Sequence, residues 1–263
     1  MKPRPFASLS LDLDNQWSYM KTHGDAGWSQ YPSYLHLVVP RVLDYFQRRR
    51  LRITFFVVGQ DAARPENKDP LRAIAEAGHE VANHSFHHEP WLHRYTRPQI
   101  EEELARAEEA IQTVTGATTR GFRGPGYSFS PTLFSVLAER DYVYDASTLP
   151  TFLGPAARAY YFFRSGLTAA QRRERAHLFG GIRDGLRPLH PFVWPDVRPE
   201  LVEIPVTTIP LLRIPFHLSY LLYLGQWSRG LALAYFRNAV RWCRIWGVEP
   251  SFLLHPLDFL GGD

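Results

Sequence analysis

Short strand-like runs that alternate with amphipathic helical patterns constrain this chain most. Residues 7–13, 53–58 and 80–83 read as strands. The second is an apolar run, but for Thr54, stopped by Gly59, the signature of a parallel strand covered on both faces. Between the first two, residues 34–50 place Leu35, Val38, Val39, Val42, Leu43 and Phe46 at helical spacing. That helix ends on Arg48, Arg49 and Arg50, where the dipole favours positive charge. Residues 70–77 form the next helix, stopped by Gly78. The clearest helix runs from Thr96 to Gly116. Thr96 and Gln99 stand in capping-box register, and Glu101, Glu102 and Glu103 crowd its first turns. Ile100, Leu104, Ala107, Ile111 and Val114 make its apolar face. Strand 119–123, helix 131–139 and strand 142–146 follow, and strands 202–206 and 250–254 flank a helical stretch at 230–246. This alternation predicts an α/β fold of parallel strands with helices outside, as a barrel or an open sheet.

Between about 148 and 199 the pattern breaks. The segment carries Tyr160, Tyr161, Phe162 and Phe163, the charged run at 172–175, and several Gly and Pro. It reads as an insertion bearing short helices and loops within one catalytic domain spanning residues 1–263. The single cysteine, Cys243, excludes an intrachain disulfide and a cysteine-based zinc cluster. A bound metal must therefore rely on histidine and carboxylate. The net charge of +4 is small, and no recognition helix, zinc finger or Gly-rich phosphate loop is visible, so nucleic acid is not an expected partner. No apolar leader with a cleavage site occupies the first residues, which predicts a cytoplasmic protein. The most hydrophobic stretch, 204–224, is interrupted by Pro205, Pro210, Pro215, Arg213 and His217. It fails as a membrane span, which needs about 20 predominantly apolar residues.

Four local constellations follow strands. Asp12 and Asp14 sit two apart at the end of the first, on one face by alternation. Such a pair needs a cation between its members or a shared proton, unless the strand end simply flares into solvent. His84 and His88 lie four apart after the third strand. On a helical turn they would share a face, the spacing of a two-histidine metal site. Either alone would be an ordinary core or surface histidine, and His87 between them should point elsewhere. Arg123 precedes a Gly-Pro-Gly loop ending in Gly126 and Tyr127. An arginine there can pair with a carboxylate, and bare backbone can offer N–H groups to an oxyanion. A plain tight turn has the same composition. His255 closes the last strand in Leu-Leu-His-Pro. The carboxyl ends of parallel strands share one face, where sites form.

In order and spacing these motifs resemble the NodB-homology polysaccharide deacetylases, carbohydrate esterase family 4. That family's TFDDG corresponds here to SLDLD at 10–14, a D-x-D variant similar to its intracellular and allantoinase-like branch. GHEVANHSFHH at 78–88 resembles its GHEIGNH and H(S/T)xxH motifs, RGPGYS at 123–128 its RxPY, and LLHP at 253–256 its LxxH. The match covers about 6–147 and 200–258. The resemblance implies a distorted (β/α)7-type barrel with an inserted subregion. It implies that Asp14, His84 and His88 hold a divalent metal, with Zn2+ expected first and Co2+, Ni2+, Mn2+ or Fe2+ as alternatives. It also implies Asp12 as catalytic base, Arg123 orienting it, a backbone N–H near Gly126 or Tyr127 at the oxyanion, and His255 as general acid. The acid-orienting aspartate of the family has two counterparts here, Asp145 and Asp258.

The expected function is metal-dependent hydrolysis of an N-acetyl or other N-acyl group from an amino sugar, a cytoplasmic or lipid-linked glycan precursor. Two rivals stand beside it: an allantoinase-like ring-opening amidohydrolase acting on a small cyclic amide, and a non-catalytic carbohydrate-binding module. Trp194, Tyr220, Tyr223 and Trp227, with Arg158, Arg164 and Arg229, are expected at a lipid headgroup boundary of a peripheral membrane protein. Packing on the barrel exterior or lining of a sugar cleft is the alternative.

Overall fold

A computed structural model describes residues 7–260, apart from positions 165–166, 177 and 179 and the side chains at 164 and 174. Five strands, β1 (Ser8–Leu13), β2 (Thr54–Val57), β3 (Glu80–Asn83), β4 (Gly121–Phe122) and β5 (Tyr144–Asp145), lie side by side in chain order, all parallel. Next come β6 (Phe192–Val193), β7 (Val202–Glu203) and β8 (Ser251–Leu254). β7 continues the parallel sheet beside β5, and β8 pairs with the free edge of β1. β6 runs antiparallel outside β7. Seven parallel strands thus form a curled sheet. Its two ends meet just beyond β7, where Thr207 N–H donates to the Ser251 carbonyl (3.0 Å). Ser251 N–H returns a bond to Thr207 Oγ1 (2.8 Å). The result is the distorted (β/α)7 barrel that the family resemblance implies, one of the two forms that the strand pattern leaves open.

Side-chain alternation sorts each strand into two environments. Leu11, Leu13, Phe55 and Val57 face outward onto helices Leu35–Arg49 and Lys68–Glu76 and pack with Val38, Val42, Phe46, Leu71 and Ile74. A second cluster joins Phe122 of β4 to Ile100 and Leu104 of helix Arg97–Thr115 and to Leu133 and Leu137 of helix Pro131–Glu139. Each fully buried side chain of this kind contributes roughly 1.5–3 kcal/mol. The even-numbered residues Ser10, Asp12 and Phe56 turn inward, so β1 carries polar groups into the barrel and leucines out of it.

Most expected elements lie within a residue or two of their predicted bounds, and the capping box of Thr96 and Gln99 is formed. Among the described residues there are also elements that the pattern does not predict. Helix Gln16–His23 follows the Asn15 N-cap. Helix Leu218–Trp227 occupies the end of the proline-broken stretch. Within the 148–199 segment, helices Gly154–Arg164 and Ala169–Glu174 are joined by β6, so this insertion also lends an edge strand to the sheet. Among the described residues, no helix is long and apolar enough to cross a membrane.

Candidate active site

The chain turns sharply where β1 ends: Asp14 N–H donates to the Asp12 carbonyl at 2.8 Å. Asp12 and Asp14, both buried, then take separate partners. Asp12 Oδ1 accepts from Arg123 Nη1 at 2.5 Å. That guanidinium also reaches Ser10 Oγ (3.0 Å) and the Ala146 carbonyl (3.0 Å), and it lies 4.1 Å from the Phe56 ring centre. Arg123 is 1% exposed, so the ion pair is held in place from β1, β2 and the end of β5.

Asp14 faces the histidines. Its Oδ1 lies 3.0 Å from His88 Nε2 and 3.4 Å from His84 Nε2. It is buried and accepts no aligned hydrogen bond from any described group. One ligand atom from each of Asp14, His84 and His88 lies within 4.8 Å of the others. A carboxylate oxygen with no donor, converged on two ring nitrogens, fits a divalent cation, and the N/O donor set suits zinc and its first-row neighbours. His84 Nδ1 donates to the Arg123 carbonyl at 2.6 Å, which leaves Nε2 as the lone-pair nitrogen toward Asp14. Burial works against the Asp14 carboxylate, but the two histidines outweigh it and hold its carboxyl well below the ordinary range.

The two histidines do not meet on a helical turn. Residues 84–88 form a bent loop with left-handed backbone at Ser85 (φ 62°) and His88 (φ 54°). The loop is fixed from outside. Gly59 and Gln60 N–H groups donate to the Ser85 and Phe86 carbonyls (2.9 and 3.0 Å). Glu103 Oε1 accepts from the N–H groups of Phe86 and His87 (2.9 and 2.6 Å), and Glu103 Oε2 meets His87 Nδ1 at 2.7 Å. His87 therefore points away from the cluster, as expected from its spacing. Glu103 had a signal in the sequence: it stands three residues after Ile100, on the buried side of the helix.

Behind His88 lies a network with no sequence signal. Buried Asp61 Oδ1 accepts from Trp17 Nε1 (2.9 Å) and Asn15 Nδ2 (3.1 Å), and the Trp17 ring stands edge-on to His88 at 6.4 Å. Burial pushes the Asp61 carboxyl up to about 6 despite those donors.

His255 follows β8. Ser219 Oγ lies 3.1 Å from its Nδ1 and donates to Asp258 Oδ1 at 2.9 Å. Asp258 Oδ2 also accepts the His255 backbone N–H at 2.8 Å. Of the two aspartates suggested by the sequence, Asp258 is thus the one joined to His255. Asp145 is fully buried, bonded to Ser147 Oγ (2.6 Å), and lies beside the Glu203 carboxyl. Burial raises both of those carboxyls, most strongly Glu203. His217, which the sequence left without a role, lies 5.7 Å from His255 between ring centres. Burial and its cationic surroundings push His217 down to about 3, so it stays neutral there.

In the Gly-Pro-Gly loop, Gly126 (φ 58°) and Tyr127 (φ 60°) are both left-handed. A Cβ on Gly126 would come 2.8 Å from Pro90 Cβ, so this position requires glycine. Tyr127 N–H is spent on the Gly124 carbonyl (3.0 Å), which corrects its expected availability to an oxyanion. Gly126 N–H makes no hydrogen bond to a described residue. Burial and the Asp12 carboxylate drive the Tyr127 phenol up, so it stays protonated and able to donate. Beside this loop opens a cavity of about 380 Å3, with His93, Gly126 and Tyr127 on one wall and Arg158, Asp184 and Arg187 of the insertion on the other.

A parallel α/β barrel with this cluster at the carboxyl ends of its strands narrows the class, and comparison with known proteins shows what the chain is similar to. The family model for polysaccharide deacetylase matches residues 25–144, which takes in His84, His88 and Arg123 but not Asp12, Asp14 or His255. The peptidoglycan deacetylase of Helicobacter pylori is 29% identical over 128 residues, 49% of this chain and 41% of that protein. The peptidoglycan-N-acetylmuramic acid deacetylase PdaA of Bacillus subtilis is 36% identical over 77 residues, 29% of this chain and 28% of that protein. A Mycobacterium smegmatis crystal structure, named provisionally as a polysaccharide deacetylase, superposes on 97% of this chain and 79% of its own. Its TM-score is 0.62 at 20% identity, so the two share a fold. Over residues 25–144 the chain is similar to the polysaccharide deacetylase family. It spans less than half the length of these two curated relatives.

Proposed function

We propose that this protein is a metal-dependent N-deacetylase that hydrolyses an N-acetyl group from an amino sugar of a glycan precursor, in a single catalytic domain. The observation that carries this reading is the division of labour at the end of β1: Asp14 faces His84 and His88, while Asp12 is claimed by Arg123. Asp14, His84 and His88 would hold the cation, zinc by donor set. When bound, it supplies Lewis acidity toward water and the acyl carbonyl.

The protein's own groups carry the protons. Asp12, kept ionised and aimed by Arg123, takes a proton from the attacking water. Gly126 N–H and the Tyr127 hydroxyl are the donors available to the carbonyl oxygen as it gains charge. His255, held through Ser219 by Asp258, delivers a proton to the departing nitrogen. Water adds across the amide, giving acetate and the free amine. The cavity shared with the insertion would take the rest of the glycan, and a lipid-carried glycan precursor is the finer form of the proposal. The acid-free, apolar stretch 204–248 supports it.

A substrate screen tests the class of reaction. The zinc-loaded protein is expected to release acetate from N-acetylglucosamine glycosides and to leave cyclic ureides and imides intact. Ring opening with no acetate release would assign the site to a cyclic-amide hydrolase. No acid from any acylated sugar or ring would leave a binding module.

A further inference from the structure

The stretch from Ile204 to Val248 contains five arginines and no aspartate or glutamate, so it alone carries more positive charge than the +4 of the whole chain. Helix Leu218–Trp227 within it has only Ser219 and Gln226 as side chains capable of strong hydrogen bonds besides its aromatics, yet none of its residues is buried. A helix apolar on all sides is ordinarily enclosed by protein or lipid. Here Tyr223 is 61% and Trp227 79% exposed.

The following helix, Arg229–Ile245, buries Ala232, Ala239 and Cys243 on one stripe and exposes Leu231, Trp242 and Ile245 on another. The exposed positions are eleven and fourteen residues from Leu231, about three and four turns, so they share a face. Arg237, Arg241 and Arg244 are also exposed, and no carboxylate pairs with them or with Arg229 among the described residues. The two helices lie side by side, with Gly225 opposite Ala232. Tyr235 Oη donates to the Pro215 carbonyl at 2.8 Å and ties them to the preceding turn. That turn shows Leu211 and Leu212 to solvent, with Leu211 at φ 65°, a conformation uncommon for a bulky residue.

We propose that the turn at 210–214 and the helix pair Leu218–Trp227 and Arg229–Ile245 form one surface that seats on an anionic lipid bilayer. The leucines and aromatics enter the headgroup boundary and the arginines meet lipid phosphates. Charge selects this occupant, since a surface with no acidic residue has nothing to offer an equally basic second copy. The surface begins at the site itself: Ser219 holds His255, and the Tyr220 ring stands edge-on to His217 at 4.4 Å between centres. Docking therefore brings the mouth of the site to the bilayer, where a lipid-carried acylated sugar presents its head. This last step rests on the deacetylase reading, whereas the docking does not. Two residues expected in this role belong elsewhere: Trp194 stacks on Phe134 at 4.3 Å, and Arg158 Nη1 donates to the Ala176 carbonyl at 2.7 Å. The Arg164 side chain lies outside the described residues.

Vesicle flotation tests the proposal, with the Asp12→Asn variant beside the native sequence so that docking and catalysis separate. Both should float with phosphatidylcholine–phosphatidylglycerol vesicles at low salt, less with pure phosphatidylcholine, and less again at high salt. Trp227→Ser should weaken binding to both vesicle types. Arg237→Gln with Arg241→Gln should lower only the anionic partition, about fivefold per arginine. Flotation with no acetate release from any acylated sugar would uphold the docking and sink the deacetylase reading. No flotation by the native sequence would overturn the proposal, as would Trp227→Ser and Arg237→Gln with Arg241→Gln floating as well as the native sequence. A concentration-dependent dimer abolished by Trp227→Ser, without flotation, would overturn it in favour of a second copy.

Discussion

Replacing Arg123 by methionine is expected to cost about 3–5 kcal/mol of stability, because it strands a buried carboxylate. Arg123 is closed off by β1, Phe56 and the Ala146 carbonyl, and its Nη1 is the cation on Asp12. Methionine can fill much of the space but leaves Asp12 charged in a site with little water. In urea the unfolding midpoint should fall by about 1–2 M. The mechanism of loss has its own check. Adding Asp12→Asn to Arg123→Met removes the stranded charge and should recover a large part of the midpoint. If the double variant is less stable than Arg123→Met alone, packing rather than charge explains Arg123. Lysine should not substitute, since a single ammonium lacks the planar fork that serves Ser10, Asp12 and Ala146 together.

The second large effect separates two aspartates only two residues apart. Asp14→Ala removes the carboxylate that converges on His84 and His88 and should leave the purified protein without bound metal. Asp12→Asn should retain about one equivalent, because Asp12 lies outside the ligand cluster. It should lower kcat by about 10²–10⁴-fold, the usual worth of a general base. Elemental analysis and turnover on the same preparations decide the matter. Loss of metal in Asp12→Asn would mean that the assignment of base and ligand is reversed or shared.

The parts of this fold that are legible in the chain are those in which local chemistry and tertiary position agree. The run at 53–58 is apolar on both faces because β2 is covered on both. Thr96 and Gln99 announce a helix start by bonds made within four residues. The inward phase of β1 could be read as Asp12 and Asp14 on one face, but the tight turn after Leu13 could not, and it is this turn that gives them different partners. His84 and His88 are found by spacing even though no helix sets that spacing. Two left-handed residues and Glu103 do so instead, and positive φ at a serine and a histidine leaves no mark in composition. Helix Gln16–His23 has no apolar stripe, since it is held by polar bonds through Trp17 and Lys21 rather than by a greasy face. Helix Leu218–Trp227 is hidden for the opposite reason: it is apolar on every side and shows no period at all. Asp61 and Ser219 reach the site only through long-range folding, 46 residues from Asn15 and 36 from His255.

The most direct test of the central claim is the stoichiometry of products from an N-acetylglucosamine glycoside incubated with the zinc-loaded protein. Acetate and free amine should appear one for one, only with metal present, and His255→Ala should suppress both without releasing the metal. Acetate without a matching amine, or equal yields from metal-free protein, would contradict metal-dependent amide hydrolysis at Asp14, His84 and His88.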